Sequence, residues 1–180
     1  MPRILVLGAY GAGKSRFAER LAKKRGVSPI FLDKEYYLPN WTKPPVSDLH
    51  ARTKELCAQP DWVMDGNFIA TLDQRLARAT HVVYLRPSKW LCLCRVLRRL
   101  MRYYNRVRPT VASGCPVRFY LPFFASVLNF DRDMHPILEA KLAQVDVPIT
   151  YLSRSKDIDA YFNKPPSLPR VPKTALHFQS

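Results

Sequence analysis

Eight residues near the amino terminus carry the strongest chemical signal: Gly8-Ala9-Tyr10-Gly11-Ala12-Gly13-Lys14-Ser15. The spacing G-x-x-x-x-G-K-[ST] suits a polyphosphate. Glycines let the backbone curl until successive N–H groups point inward at an anion, the Lys14 ammonium reaches the terminal phosphates, and the Ser15 hydroxyl can ligate Mg²⁺. Four apolar residues, Ile4–Leu7, precede the loop as a strand. A helix opening at Lys14-Ser15-Arg16 follows it, with its positive end toward the same anion. A plain glycine-rich turn would leave Gly13 and Ser15 unexplained. The segment predicts a nucleoside triphosphate site, for ATP or another NTP, with Gly8 to Arg16 around the phosphates.

A magnesium nucleotide calls for a carboxylate at the carboxyl end of a neighbouring strand. Asp33 and Asp65 are both expected at strand ends. Asp65 follows Trp62-Val63-Met64 and precedes Gly66, which allows close approach to a ligand, so Asp65 joins Ser15 as the expected Mg²⁺ holder. Asp33 then faces the phosphoryl acceptor, as general base or as the group that orients its hydroxyl. Tyr36, Tyr37 and Trp41 offer planar surfaces beside it. Simple packing explains such aromatics equally well, and a strand-end aspartate often does no more than cap a turn.

The third group is basic. Arg95, Arg98, Arg99, Arg102 and Arg106 fall at i, i+3, i+4, i+7 and i+11 of one predicted helix. Trp90, Leu93, Leu97, Leu100, Met101 and Tyr104 lie opposite and are expected to anchor it. Solvated helix faces usually mix Glu with Lys, and this one has no acid. Arginine binds phosphate bidentately and can neutralise charge that develops in phosphoryl transfer. Arg106 and Arg108 lead through Pro109 to Gly114-Cys115-Pro116, a hinge-like composition. The expectation is a lid over about residues 95–118 that closes on the triphosphate, with nucleic-acid docking the second choice.

The elements that must position these groups alternate. Strands are expected at Ile4–Leu7, Pro29–Leu32, Trp62–Met64, His81–Leu85 and Val147–Leu152. Helices are expected at Lys14–Arg25, Asp48–Gln59, Leu72–Ala79, Lys89–Tyr104, over about 119–144 with a break near Pro136, and at Lys156–Phe162. Apolar strands alternating with helices predict a parallel sheet covered on both faces. Residues 1–163 read as one domain. The stretch 164–180, with Pro165, Pro166, Pro169 and Pro172, reads as an extended or disordered tail.

The chain's 29 Lys and Arg against 14 Asp and Glu give +15, and Gln74–Phe130 holds eleven of those bases and no acid. An acidic partner follows: phosphates, nucleic acid or an anionic membrane. No apolar run is long enough to span a bilayer, so no membrane insertion is expected, and the four cysteines lack zinc spacing, so reduced thiols in a cytoplasmic protein are expected.

The strand, loop and helix at Ile4–Arg25, with Asp65-Gly66 and the arginine pair Arg95 and Arg99, resemble the adenylate kinase-like P-loop kinases. Leu32-Asp33, Trp41, Trp62–Asn67, Leu72-Asp73, Arg75 and Gly114-Cys115 are similar to a small bacterial branch labelled DNA topology modulation proteins. The resemblance spans about residues 3–162. It implies a three-layer fold with a five-stranded parallel sheet in the order 2-3-1-4-5. It also implies ATP with Mg²⁺, transfer of the γ-phosphoryl group to a small-molecule acceptor, and Lys14, Asp33, Arg95 and Arg99 as catalytic residues. Arg154 and Lys156 would lie near the adenine. Nucleoside monophosphate kinases continue Asp-Gly with Phe-Pro-Arg, whereas this chain has Asn67-Phe68-Ile69, which places Asn67 on the acceptor side and argues against a monophosphate acceptor. The alternative is a nucleotide-regulated nucleic-acid-binding protein, or an ATPase, using the arginine face.

Overall fold

Runs of consecutive apolar residues make the strands, because the three central strands are buried on both faces, while the two edge strands are only partly buried. The computed structural model describes residues 2–163. Arg3–Gly8 (β1), Pro29–Phe31 (β2), Trp62–Asp65 (β3), His81–Leu85 (β4) and Ile149–Leu152 (β5) form one sheet in the order β2-β3-β1-β4-β5. All its pairings are parallel. Ile4 to Leu7 and Trp62 to Met64 are fully buried. The Pro-rich stretch 164–180 lies outside the described residues.

The helices are Lys14–Arg25 (α1), Leu32–Glu35 (α2), Val46–Ala58 (α3), Leu72–Leu76 (α4), Lys89–Tyr103 (α5), Leu121–Leu128 (α6), Phe130–Asp133 (α7), His135–Leu142 (α8) and Ser155–Asn163 (α9). α1 and α9 share one face of the sheet, where the Phe17 ring centres lie 5.4 Å from Tyr161 and 5.0 Å from Phe162. α3, α4 and α8 cover the other. There the Tyr84 hydroxyl meets His135 Nδ1 at 2.8 Å, and Lys141 pairs with Asp73 at 2.6 Å.

Three local readings change. β2 stops at Phe31, and Leu32 opens α2, so Asp33 sits in a one-turn helix instead of ending a strand. Its carboxylate, near the start of that turn, suits the positive end. The helical region after 119 is broken at Met134, just before His135-Pro136, as expected, and also at Asn129.

The largest departure is α5, whose buried residues are Cys92 and Val96. The apolar column expected to anchor it is split: Leu93 and Leu100 are partly buried against the core, but Trp90 is 63% exposed, Leu97 41%, Met101 77% and Tyr104 58%. The reason is steric. α5 rests against the backbone of Gly11, where an added Cβ would stand 2.6 Å from the Cys92 carbonyl oxygen. Only a face of small side chains can approach that closely.

Candidate active site

All five parallel strands end at the same edge of the sheet, and the chemistry-bearing residues gather there. β1 leaves the sheet at Gly8, φ 129°, where a Cβ would overlap the Leu85 carbonyl oxygen at 2.0 Å. Glycine alone keeps β1 beside β4 as the loop departs. Gly13, φ 94°, caps α1 without any side-chain hydrogen bond, which leaves the first N–H groups of that helix available to an anion. Lys14 folds back along the loop, and its Nζ donates to the Gly8 oxygen at 3.0 Å and the Ala9 oxygen at 2.9 Å. Burial pushes the Lys14 pKa down, while Asp65 and Asp33 pull it up. Ala9 and Ala12 are buried, Tyr10 packs on Phe123 and Phe130, and Arg16 is exposed in the first turn of α1.

Asp65 ends β3, in register with Val6 of β1. It is 6% exposed, and its Oδ1 has no hydrogen-bond partner. Burial raises its pKa to about 6, although Lys14 and the Ser15 hydroxyl hold it down. A buried carboxylate oxygen without a protein partner, beside a serine hydroxyl and an ammonium, suits a divalent cation carried by phosphates.

The arginine column divides. Arg98, Arg102 and Arg106 are exposed. Arg95 turns inward and donates from Nη1 to the Ala12 carbonyl at 2.8 Å, so it braces the loop. Arg99 lies over the Phe123 ring at 5.4 Å, and burial with the repulsion of Arg108 lowers its pKa to about 10. Arg108, which the sequence placed only in the lid loop, approaches Asp33 at 3.9 Å and has a buried Nε with no partner. Two crowded guanidiniums beside one half-exposed carboxylate make a centre that an additional anion would stabilise.

The segment 104–120 is fixed across the site by contacts with residues 33–42. Ala112 N donates to the Asp33 carbonyl at 3.2 Å, Asn40 N to the Gly114 carbonyl at 2.8 Å, and Trp41 Nε1 to the Pro116 carbonyl at 2.9 Å. Val111, Ala112 and Cys115 form a second small core against Tyr37. The segment therefore lies beside Asp33, whose carboxylate stays half-exposed, and packs on Tyr37 and Trp41. Burial and the nearby Asp33 push the Tyr37 hydroxyl up to about 12.

No protein-family model matches the chain, and no curated protein matches it in sequence. Solved structures do match in shape. Shikimate kinase from Acinetobacter baumannii, in complex with shikimate, superposes with a TM-score of 0.57 at 18% identity, covering 91% of this chain and 90% of that one. Deoxyadenosine kinase from M. mycoides, with bound dATP, gives 0.51 at 13% identity, covering 91% and 98%. The fold is that of the P-loop kinases. Strand order and direction agree with those implied by the resemblance to P-loop kinases.

Within this P-loop kinase fold, two residues expected beside an acceptor are used elsewhere. Tyr36 is 1% exposed, and its hydroxyl bonds Thr53 and Thr71, which ties α2 to the layer beneath. Asn67 receives the Gly8 N–H on Oδ1 at 3.1 Å and donates from Nδ2 to the Gly8 oxygen at 2.9 Å. It clamps the turn after β3 to the root of the phosphate loop. That turn is held from behind by Arg75, fully buried, which donates to the carbonyls of Gly66, Asn67 and Phe68 at 2.7–2.8 Å. Arg75 was legible only as part of a motif; its burial has no signature in the hydropathy pattern. Arg154 and Lys156 are exposed at the carboxyl end of β5, where Arg154 pairs with Asp157.

Proposed function

We propose that the chain is a phosphotransferase that moves the γ-phosphoryl group of ATP to a hydroxyl of a small molecule. The observation that carries this reading is the convergence of Lys14, Asp65, Asp33, Arg99 and Arg108 on the edge where the phosphate loop opens. A binding-only loop has no need of Asp33 under a lid arginine. The N–H groups of Gly8 to Ser15 and the Lys14 ammonium hold the phosphates. Ser15 and Asp65 fit Mg²⁺, on the strength of the unpartnered Asp65 oxygen, and Mg²⁺ bound there would neutralise charge on the phosphates.

Asp33 orients the acceptor hydroxyl and takes its proton. The hydroxyl oxygen forms a bond to the γ-phosphorus as the bond to the β–γ bridging oxygen breaks, and ADP leaves with that electron pair. Arg99 and Arg108 neutralise the charge that develops on the moving phosphoryl group, while Arg95 positions the loop instead of touching it. Tyr37 and Trp41 wall the acceptor side, and Arg154 and Lys156 lie nearest the adenine. The motifs around Asp33, Asp65 and Gly114 favour the bacterial branch named above, within the adenylate kinase-like kinases. Four free cysteines fit a cytoplasmic setting. The competing nucleic-acid reading keeps the exposed Arg98, Arg102 and Arg106, while Arg95 is engaged with the Ala12 carbonyl and Arg99 with the Phe123 ring.

Incubation with γ-labelled ATP, Mg²⁺ and a pool of polar metabolites tests the reading. Label transferred to an organic phosphate, and lost in Lys14→Ala, is expected. Release of inorganic phosphate alone would make the chain an ATPase and overturn it.

A further inference from the structure

The outer face of α5 plays no part in the site. Trp90, Leu97, Met101 and Tyr104 stand at i, i+7, i+11 and i+14, a single stripe along the helix, and are 63, 41, 77 and 58% exposed. Arg98 and Arg102 run alongside, both exposed. The Tyr104–Val117 bridge brings the next chain segment to the end of the stripe, and there Phe119, Tyr120 and Leu121 are 60, 64 and 67% exposed. A contiguous apolar surface of this kind marks an interaction site.

We infer that this face docks on a bilayer surface rich in anionic phospholipid, with α5 lying in the plane of the headgroups. Charge chooses the occupant. Gln74–Phe130 contains eleven bases and no acid. A second copy of the chain would bring one arginine column against another. The chain's own 164–180 stretch offers Lys164, Arg170 and Lys173 with no acid, so it has no complementary charge either. Nucleic acid would answer the arginines but gives no return for the exposed Leu97 and Met101. An anionic interface satisfies both columns: the apolar stripe enters the acyl boundary, Trp90 and Tyr104 sit at headgroup depth, and the arginines reach phosphates. Among the described residues no helix is long and apolar enough to cross a membrane, and the docking requires none.

The test is co-sedimentation of the full chain with vesicles of phosphatidylcholine alone or mixed with phosphatidylglycerol, with tryptophan emission recorded in parallel. Binding to the anionic vesicles only is expected, with a blue shift that Trp90→Phe removes when read in a Trp41→Phe background, where buried Trp62 is the one tryptophan left. Arg98→Gln with Arg102→Gln should weaken partitioning about 30-fold. Met101→Glu should weaken it about 10-fold or more, with melting unchanged because the side chain is exposed. Absence of binding to anionic vesicles overturns the inference. Loss through the arginine pair but not through Met101→Glu overturns the bilayer in favour of a purely electrostatic partner, which duplex DNA binding would then identify. Self-association abolished by Met101→Glu would instead assign the face to a second copy.

Discussion

Replacing Asp65 by Asn removes a charge that the folded chain holds at a cost. Its pKa stands at about 6 against the ordinary 3.8, because the carboxylate is buried and Lys14 with Ser15 only partly compensates. The folded state therefore binds this proton more tightly than the unfolded chain does. Through this group, stability is present below the unfolded value and is lost as pH rises through about 6. The gap corresponds to about 3 kcal/mol at pH 7 and above. Asn resembles the protonated acid, so Asp65→Asn should be more stable than the parent by about that amount at pH 7.5, a rise in Tm of about 6–12 °C for a chain of this length. At pH 4.5 the difference should shrink toward zero. Calorimetry with a chelator present, at both pH values, measures it. The same variant should lose Mg²⁺-dependent binding of ATP, so stability and function move in opposite directions. An Asn variant less stable than the parent at pH 7.5, or a difference independent of pH, would refute the electrostatic account of this site.

Three further outcomes follow. Arg75→Met leaves the buried Gly66 and Asn67 carbonyls without a donor, while Phe68 keeps Thr71, and should cost at least about 2 kcal/mol in urea unfolding; a loss below about 1 kcal/mol contradicts the clamp. Arg99→Ala should lower kcat of the transfer reaction about 10²–10³-fold with little change in KM for ATP, whereas Arg95→Ala should act mainly on KM for ATP. Equal effects of the two on kcat would mean that both touch the phosphoryl group. Burial beside Arg25 lowers the His81 pKa, so its contribution to stability is full above pH 6.5 and is lost as pH falls below it. His81→Gln should flatten that part of the stability profile, and an unchanged profile would assign the acid sensitivity to other groups.

The parallel sheet was legible because its strands are short apolar runs alternating with helices, whereas its strand order came only from the resemblance to P-loop kinases. The phosphate loop was legible because its backbone can be built only with those glycines. What failed was orientation. Periodicity found two columns on α5 but could not say which faced inward, since hydropathy assigns burial to Leu and Trp. The contact with Gly11 requires Cys92 and Val96 instead. Asn67 and Tyr36 sit next to the right residues in the chain, yet each is spent on a partner distant in sequence, Gly8 or Thr71. Arg108 lay beyond reach for the same reason: its meeting with Asp33 depends on how the 104–120 segment crosses the edge of the sheet.

The central claim is that the phosphate loop, Asp33 and the inward arginines form one phosphoryl-transfer centre. A crystal structure with Mg²⁺ and a non-hydrolysable ATP analogue tests it most directly. The account predicts the γ-phosphate against Lys14, Arg99 and Arg108, with the metal at Ser15 and Asp65 and the γ-phosphorus facing Asp33. A triphosphate bound with Asp33 and both arginines turned away from it would contradict the account.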